Sequence, residues 1–337
     1  MKTLPQLFQI QDQFSELFQK KDDLSLEERE RLTQEFSLAL HSEVSSLISE
    51  INFKNHHHDR KQVVENSILF EGVDVFRYLL AILNLWGFSA EDFSQAFDDK
   101  ENYLQVKYVK NAQKWQGQPV ILVDADDVIV EFRKGYSEYL NAMEGIDVDV
   151  NSKEYYFTNG IPKDRYNPEQ LFQDFIDQRR LRDLEPITPT IQAINDLYDQ
   201  GYWIQILTAR PDWNKTCQYD TYTWLENSGL KFHKIDFSPE KMIWAANSEY
   251  YDSESIVCAI DDSSKHTMEY AKHGIKVASP VTPYNEELRG VENVIMFETK
   301  QELTDIIKQF SLPRIFSVWC VLQLDNYEPL LGKPCRS

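Results

Sequence analysis

Cysteine is scarce and scattered. Cys217, Cys258, Cys320 and Cys335 form no C-x-x-C pair, which gives neither a zinc ribbon nor a disulfide framework. No uninterrupted apolar stretch reaches about 18 residues, so no membrane span is expected. The N-terminus has no charged segment leading into an apolar run, so no secretory leader is expected and a cytoplasmic protein is the natural reading. Positive charge is in deficit: 35 Lys and Arg stand against 55 Asp and Glu, a net charge of −20. That balance argues against stable binding to nucleic acid or an anionic membrane. It fits a solvated acidic surface and carboxylate-rich metal sites equally well. Low-complexity tracts and fixed-period repeats are also missing, which removes disorder and solenoids from consideration.

Glycine is nearly absent from the first 108 residues, where only Gly72 and Gly87 occur. Apolar residues recur there at spacings of three and four: Leu4, Leu7, Phe8 and Ile10; Phe36, Leu38 and Leu40; Val44, Leu47, Ile48 and Ile51; and again from Val73 to Leu85. That period predicts a helical bundle. Asp23 or Ser25, ahead of Glu27 and Glu28, and Ser89, ahead of Glu91 and Asp92, are placed to cap helices. The polar segment Asn111 to Pro119 breaks this texture. The expected organisation is a helical domain over 1–112, a linker over 113–118, a second domain over 119–310 and a tail over 311–337.

The second domain alternates short apolar runs with helical segments. The runs are Val120–Asp124, Trp203–Thr208, Phe232–Phe237, Ile256–Asp261, Ile275–Ala278 and Val294–Phe297. Near-continuous apolar runs of this length predict a parallel sheet covered on both faces, with functional groups at the carboxyl ends of the strands. Polar clusters stand at those ends: Asp124 and Asp126, then Thr208 with Arg210, then Lys241, then Asp261 and Asp262. Phosphoryl transfer needs such a set: a nucleophile, an acid–base group, donors for the phosphoryl oxygens and hard oxygen ligands for a cation.

These four clusters, in this order, resemble the motifs of the haloacid dehalogenase phosphatases. The resemblance implies that Asp124 is the nucleophile and a Mg²⁺ ligand. Asp126 is then the general acid and base, with its carbonyl on the metal. Thr208 would bind phosphoryl oxygens, and Lys241 would neutralise nucleophile and phosphate, a place that Lys215 or Lys234 could also take. Asp262, helped by Asp261, completes the metal site. The helical, aromatic-rich stretch over 135–184 falls where this superfamily inserts a small cap. Thr208-Ala-Arg-Pro211 and Ile260-Asp-Asp-Ser-Ser-Lys-His266 look like the deoxyribonucleotidase branch, which makes Arg210 a candidate substrate contact. His266 and His273 read as ordinary helix-surface residues.

In the helical half, Glu71 and Asp74 share a helix face, as do Glu43 and Glu50. Carboxylates set in apolar helices are costly unless paired or bound to a cation, so facing helices could gather these four around Mg²⁺. The Glu71–Asp74 pair, Leu7 to Phe14 and Phe97 to Asn102 resemble the all-α nucleoside triphosphate pyrophosphohydrolases, particularly the dimeric dUTPases. By that resemblance Gln11 contacts the base, while Lys54, Lys100 and Asn102 contact the substrate. Two positions depart from the pattern. Ser46 stands where the first motif carries its second glutamate, with Glu50 one turn later to compensate, and Ser15 replaces an asparagine that helps to read uracil. The tract His56-His-His58 reads as a polar loop.

The expectation is a multi-domain chain: an all-α bundle followed by a doubly wound α/β parallel sheet with a small helical cap. It would be a Mg²⁺-dependent nucleotide hydrolase. The helical domain would split a deoxynucleoside triphosphate, dUTP among the candidates, to monophosphate and pyrophosphate, and the second domain would dephosphorylate the monophosphate. The resemblance also implies a homodimer through the helical domain. The alternative keeps the phosphatase and makes the helical half a dimerisation or nucleotide-sensing module.

Overall fold

A computed structural model describes residues 1–17, 24–51, 62–155 and 157–311. Lys54 and the His56–His58 tract lie outside the described residues, as does the tail from 312. The chain forms two compact units that divide between Asp98 and Asp99.

The first unit is helical. It contains α1 (Leu4–Glu16), α2 (Leu26–Ser49), α3 (Glu65–Leu85) and the start of α4 (Ala90–Leu104). The caps follow the expected chemistry. The Ser25 hydroxyl accepts from the Glu28 amide while the Glu28 carboxylate accepts from the Ser25 amide. Ser89 and Asp92 make the same reciprocal pair at α4, so in each helix two otherwise orphaned donors are satisfied. Phe8 of α1, Leu80 of α3 and Ala90 of α4 form the buried centre. The Asn84 amide, buried in α3, donates to the Phe8 carbonyl at 3.1 Å and fixes α1 on α3.

The second unit is built on six parallel strands: β1 (Val120–Val123), β2 (Trp203–Thr208), β3 (Lys234–Phe237), β4 (Ile256–Ile260), β5 (Val277–Pro280) and β6 (Val294–Phe297). They lie in the order β3-β2-β1-β4-β5-β6. All six expected apolar runs are therefore strands of one sheet. Around it stand α5 (Phe132–Glu144), α6 (Pro168–Asp177), α7 (Thr188–Asp199), α8 (Lys215–Asn227), α9 (Lys241–Ala246), α10 (Ser264–Lys272) and α11 (Lys300–Ser311). The β1 and β2 residues are buried throughout, as parallel strands covered on both faces must be. The chain steps outward from β1 to β3, then returns to β4 on the other side of β1. That reversal opens a crevice at the carboxyl ends of β1 and β4.

The expected cap region is helical, carrying α5, α6 and two 3₁₀ turns at Phe157–Gly160 and Arg180–Asp183. The Tyr136 ring packs against Phe132, Tyr139, Phe157, Phe172 and Phe175 with centroids 5.0–6.3 Å apart.

The division between units falls earlier than the polar stretch at 113–118 suggests. Residues from Asp99 pack with the sheet unit because their side chains bond there. Asp99 holds Arg179 and Arg182 at 2.7 Å. Val106 is fully buried in the sheet unit's core. The Asn111 side chain both donates to and accepts from the Ile235 backbone. The expected linker is docked too, with Trp115 packed on Tyr251 and its indole N–H donated to the Gln118 carbonyl.

Candidate active sites

The β1 strand ends at Asp124, whose amide donates to the Ile260 carbonyl of β4. The next residue on β4 is Asp261, so pairing of the two central strands brings Asp124, Asp261 and Asp262 together. Their carboxylate oxygens lie within 4.8 Å of one another and all three residues are buried. Lys241, at the start of α9 and 1% exposed, places its ammonium 2.7 Å from Asp124 Oδ1 and 2.8 Å from Asp261 Oδ2. Of the three lysines considered from sequence, Lys241 is the one among these carboxylates. Lys215 is exposed at the start of α8, and Lys234 donates to the Asn111 carbonyl and lies over the Tyr250 ring.

The charge in this cluster is unbalanced. Burial pushes the Asp124 carboxyl up to about 6, opposed by Lys241 and assisted by Asp261 and Asp126. Burial and then the charges of Asp124, Asp261 and Asp127 push Asp262 well above the usual carboxylate range. Three buried carboxylates facing one ammonium form a hard-oxygen site whose repulsion a divalent cation would relieve. Mg²⁺ fits these residues.

Thr208 ends β2, fully buried, and its hydroxyl accepts from the Arg210 amide at 3.3 Å. The Arg210 guanidinium turns to Asp126, donating from Nη2 to Oδ1 at 2.6 Å and from Nε to Oδ2 at 3.1 Å. Its remaining arm donates to the Thr221 hydroxyl of α8 at 3.0 Å. Asp124, Asp126, Thr208, Lys241, Asp261 and Asp262 thus meet around the crevice, with Arg210 tied to Asp126.

Several residues at this site carried no sequence signal. The Tyr284 hydroxyl donates to Asp262 Oδ2 at 2.7 Å, and the Asn285 amide donates to the Asp262 carbonyl at 3.1 Å. Both fix a candidate metal ligand, yet a tyrosine and an asparagine beyond β5 look like any loop pair until the sheet closes. Asp127 adopts a left-handed backbone (φ 53°) and accepts from the Arg133 amide, capping α5. Burial pushes its carboxyl up to about 7. Arg133 is buried and donates to the carbonyls of Val150, Ser152, Glu154 and Tyr155, which pins the cap loop. His266 departs from its surface reading. It is buried and lines the cleft, and burial, then the Lys241 charge, lowers it to about 4. His273 is exposed at the C-terminal cap of α10. The cleft over the carboxylates has a volume of about 730 Å³, and its cap side includes Phe132, Tyr136, Phe157 and Phe172.

The helical unit holds a second acidic group. Glu43 of α2 meets Glu71 and Asp74 of α3, with carboxylate oxygens within 4.8 Å. Glu50 does not join them. It is the C-terminal cap of α2, and seven residues of helix set it about 10 Å along the axis from Glu43. A cleft of about 580 Å³ beside the cluster is lined by Gln11, Ser15, Glu43, Asp74 and Arg77, with Phe14, Phe36 and Tyr78 as its aromatic surface. The structure therefore brings Gln11 and Ser15 to the acidic pair. Lys100 and Asn102 sit in the other unit, where Lys100 bonds the Tyr219 hydroxyl at 3.2 Å and Asn102 bonds Thr223 at 3.4 Å.

Comparison with known proteins finds similarities in both parts of the chain. The sequence pattern of the dUTPase family matches residues 3–167. A Bacillus cereus protein provisionally named a nucleotidase is 22% identical over 194 residues, covering 55% of this chain and 96% of that protein. Among solved structures, a phosphatase by provisional name from Clostridium acetobutylicum is 17% identical with a TM-score of 0.44, covering 57% of this chain and 99% of its own. A haloacid dehalogenase-like hydrolase from Streptococcus pneumoniae is 15% identical with a TM-score of 0.42, covering 56% and 98%. The family match runs past the first unit, and its last part (120–167) falls on β1, α5 and the cap loop. The chain joins a helical region that matches the sequence pattern of the dUTPase family to an α/β unit built on a six-stranded parallel sheet.

Proposed function

We propose that this chain is a bifunctional nucleotide hydrolase. The helical unit cleaves a deoxynucleoside triphosphate to monophosphate and pyrophosphate, and the α/β unit removes the remaining phosphate to leave a nucleoside. The observation that carries the second activity is the buried cluster of Asp124, Asp261 and Asp262 with Lys241 between two of them.

Asp124 Oδ1 is held by Lys241 and by the Ala125 amide at 2.7 Å, which leaves Oδ2 to attack phosphorus. As that bond forms, the ester P–O bond breaks and Asp126 delivers a proton to the leaving oxygen. Water then attacks the aspartyl-phosphate and gives its proton to Asp126, which releases phosphate and restores Asp124. Lys241 and the Thr208 hydroxyl hold the phosphoryl oxygens. Asp124, Asp261, Asp262 and the Asp126 carbonyl would hold Mg²⁺, which when bound supplies charge neutralisation at the phosphoryl group. The aromatic cap side of the cleft suits a base and sugar, and Arg210, tied to Asp126, remains the candidate contact beside the phosphate.

In the helical unit, Glu43, Glu71 and Asp74 would hold Mg²⁺ on the triphosphate, with the base toward Gln11. Lys54 remains a proposed substrate contact, whereas Glu50 stands about 10 Å along α2 from Glu43 and Lys100 and Asn102 belong to the α/β unit. A homodimer is proposed as well. It is supported by apolar side chains that α2 and α3 leave exposed, Leu38, Leu69 and Phe70 foremost. The alternative, a phosphatase regulated by a nucleotide-sensing helical unit, draws on Ser46 and on the three-carboxylate cluster that excludes Glu50.

Incubation of the full chain with Mg²⁺ and each deoxynucleoside triphosphate, with chromatographic separation of products, tests the proposal. Pyrophosphate and monophosphate followed by nucleoside are expected. Intact triphosphates alongside hydrolysis of supplied monophosphates would leave the regulatory reading.

A further inference from the structure

In the α/β unit, α8 is held at two points of its circumference, and the two lead to different places. Asp220 and Thr221 are both buried. Consecutive residues of a helix point about 100° apart, so these two side chains leave α8 in different directions. The Thr221 hydroxyl accepts from Arg210 Nη1 at 3.0 Å, and Arg210 grips Asp126. Asp220 leads to the cap. Its Oδ1 accepts from Arg179 Nε at 2.7 Å, just ahead of the 3₁₀ turn Arg180–Asp183 through which the cap returns to α7. One helical turn beyond Asp220, the Trp224 indole N–H donates to the Leu184 carbonyl at 2.7 Å. The same side of α8 is therefore fastened twice to that return.

The tie at Asp220 is costly. A buried carboxylate loses hydration that its partners must replace, and Asp220 Oδ2 has no hydrogen-bond partner among the described residues. Arg179 takes a left-handed backbone (φ 64°), which a non-glycine residue adopts at a cost. Its guanidinium is shared with a second carboxylate, donating to Asp99 at 2.7 Å, and Arg182 also holds Asp99. An apolar residue at position 220 would pack α8 at lower cost. What the ion pair adds is direction: a helix held at one point can roll about its axis, and one held at two points about 100° apart cannot.

We propose that Asp220 and Arg179 are positioning residues for the acid–base group. By fixing the roll of α8 they hold Thr221 against the Arg210 guanidinium, and Arg210 in turn aims the Asp126 carboxylate. The return segment of the cap and the proton donor thus move as one piece. Neither Asp220 nor Arg179 lines the cleft over the carboxylates, so their effect reaches the reaction where Asp126 delivers its proton. This inference rests on the phosphatase reading of the α/β unit, as proposed above.

Steady-state kinetics of the full chain on two esters, with Mg²⁺ present, tests it. The readout is kcat/KM, which covers the steps up to departure of the leaving group. Arg179→Asn keeps a residue that tolerates the left-handed backbone and removes the tie to Asp220. It should lower kcat/KM about tenfold for the deoxynucleoside monophosphate that the wild type hydrolyses fastest, and less than about twofold for p-nitrophenyl phosphate, whose leaving group needs no proton. Adding Asp220→Asn to that variant removes the stranded carboxylate and should give the same split, so the result does not hinge on an unpaired buried charge. A role exerted through Arg210 also makes the losses non-additive: in an Arg210→Lys background, Arg179→Asn should cost less than about twofold on the monophosphate. Thermal melts of the same preparations serve as the control for folding. Equal losses on the two esters, full additivity with Arg210→Lys, or wild-type rates in Arg179→Asn and in the double variant would overturn the positioning role. A wild type that hydrolyses no deoxynucleoside monophosphate would instead overturn the nucleotidase reading, and the inference with it.

Discussion

Arg210 grips Asp126 through both carboxylate oxygens, with its guanidinium 3% exposed and the Asp126 side chain 29% exposed toward the cleft. Thr221 holds the far side of the guanidinium, and the Thr221 hydroxyl is itself committed to the Cys217 carbonyl at 2.7 Å. The proposed acid–base group therefore has a fixed anchor, and the planar fork of arginine is what makes the grip two-pronged.

Replacing that fork with a single ammonium should loosen Asp126 and keep the charge. Arg210→Lys is expected to lower kcat for a deoxynucleoside monophosphate by roughly 10–100-fold. The loss should be smaller for p-nitrophenyl phosphate, whose leaving group departs without a proton. Steady-state kinetics on both esters checks this; equal losses would mean that Arg210 acts on something other than proton transfer.

Among the described residues, Lys241 is the one ammonium bonded to the Asp124 and Asp261 carboxylates. Lys241→Met should destabilise the metal-free protein by roughly 3–5 kcal/mol, the usual cost of leaving buried charge uncompensated. Mg²⁺ should then protect the variant more than the wild type. For the wild type, ion at 100 times its Kd should add about 2.7 kcal/mol. Thermal melts with EDTA and with excess Mg²⁺ give both numbers, and an absence of any Mg²⁺ effect would remove the metal-site assignment.

The two acidic clusters should fail independently. Asp124→Asn is expected to stop phosphate release from monophosphates and to leave pyrophosphate release intact. Glu71→Ala should do the reverse. Product analysis on each variant reads both activities at once; a native rate of pyrophosphate release from Glu71→Ala would show that the helical cluster does not carry that step.

His233 should make the α/β unit acid-sensitive. Its ring is stacked between Tyr198 and Trp203 with centroids 4.4 and 4.3 Å away, and its Nδ1 accepts from the Ile204 amide. Burial lowers it from 6.5 to about 4. The folded state thus binds fewer protons than the unfolded chain between these values, so stability rises with pH across that window. The contribution is complete above about 6.5 and is lost as pH falls toward 4. Urea melts at pH 7.5 and 5.0 should show a smaller acid loss in His233→Asn, whose side-chain oxygen can still accept from Ile204. Identical slopes in the two proteins would exclude His233 as the group responsible.

Much of this molecule was legible from its one-dimensional pattern. The apolar runs at Val120, Trp203 and Val294 became strands because a four- to six-residue apolar run between helices has few other ways to bury both faces. Ser25 and Ser89 became caps because their chemistry acts within a single turn of chain. Asp124, Thr208, Lys241 and Asp262 were placed at one crevice by a rule of parallel sheets, which puts strand ends on one edge.

What the sequence by itself determined is therefore local or periodic: element types, caps, the two textures and the residue types available at strand ends. Tertiary structure decided which long-range pairs form. Sequence left three lysines open, and sheet closure put Lys241 on Asp124. Glu50 shares a helix face with Glu43 in sequence, but the axial rise of α2 parts them, and α3 supplies the neighbours instead. Asp99 falls within the Phe97–Asn102 segment read from sequence as part of the helical half, yet it is buried. Burial pushes its carboxyl up, but Arg179 and Arg182 overcome that and hold it below the usual range. Those arginines lie some 80 residues further along the chain. Contacts of that range have no period and no spacing, because the energy that selects them exists only once the intervening chain has folded.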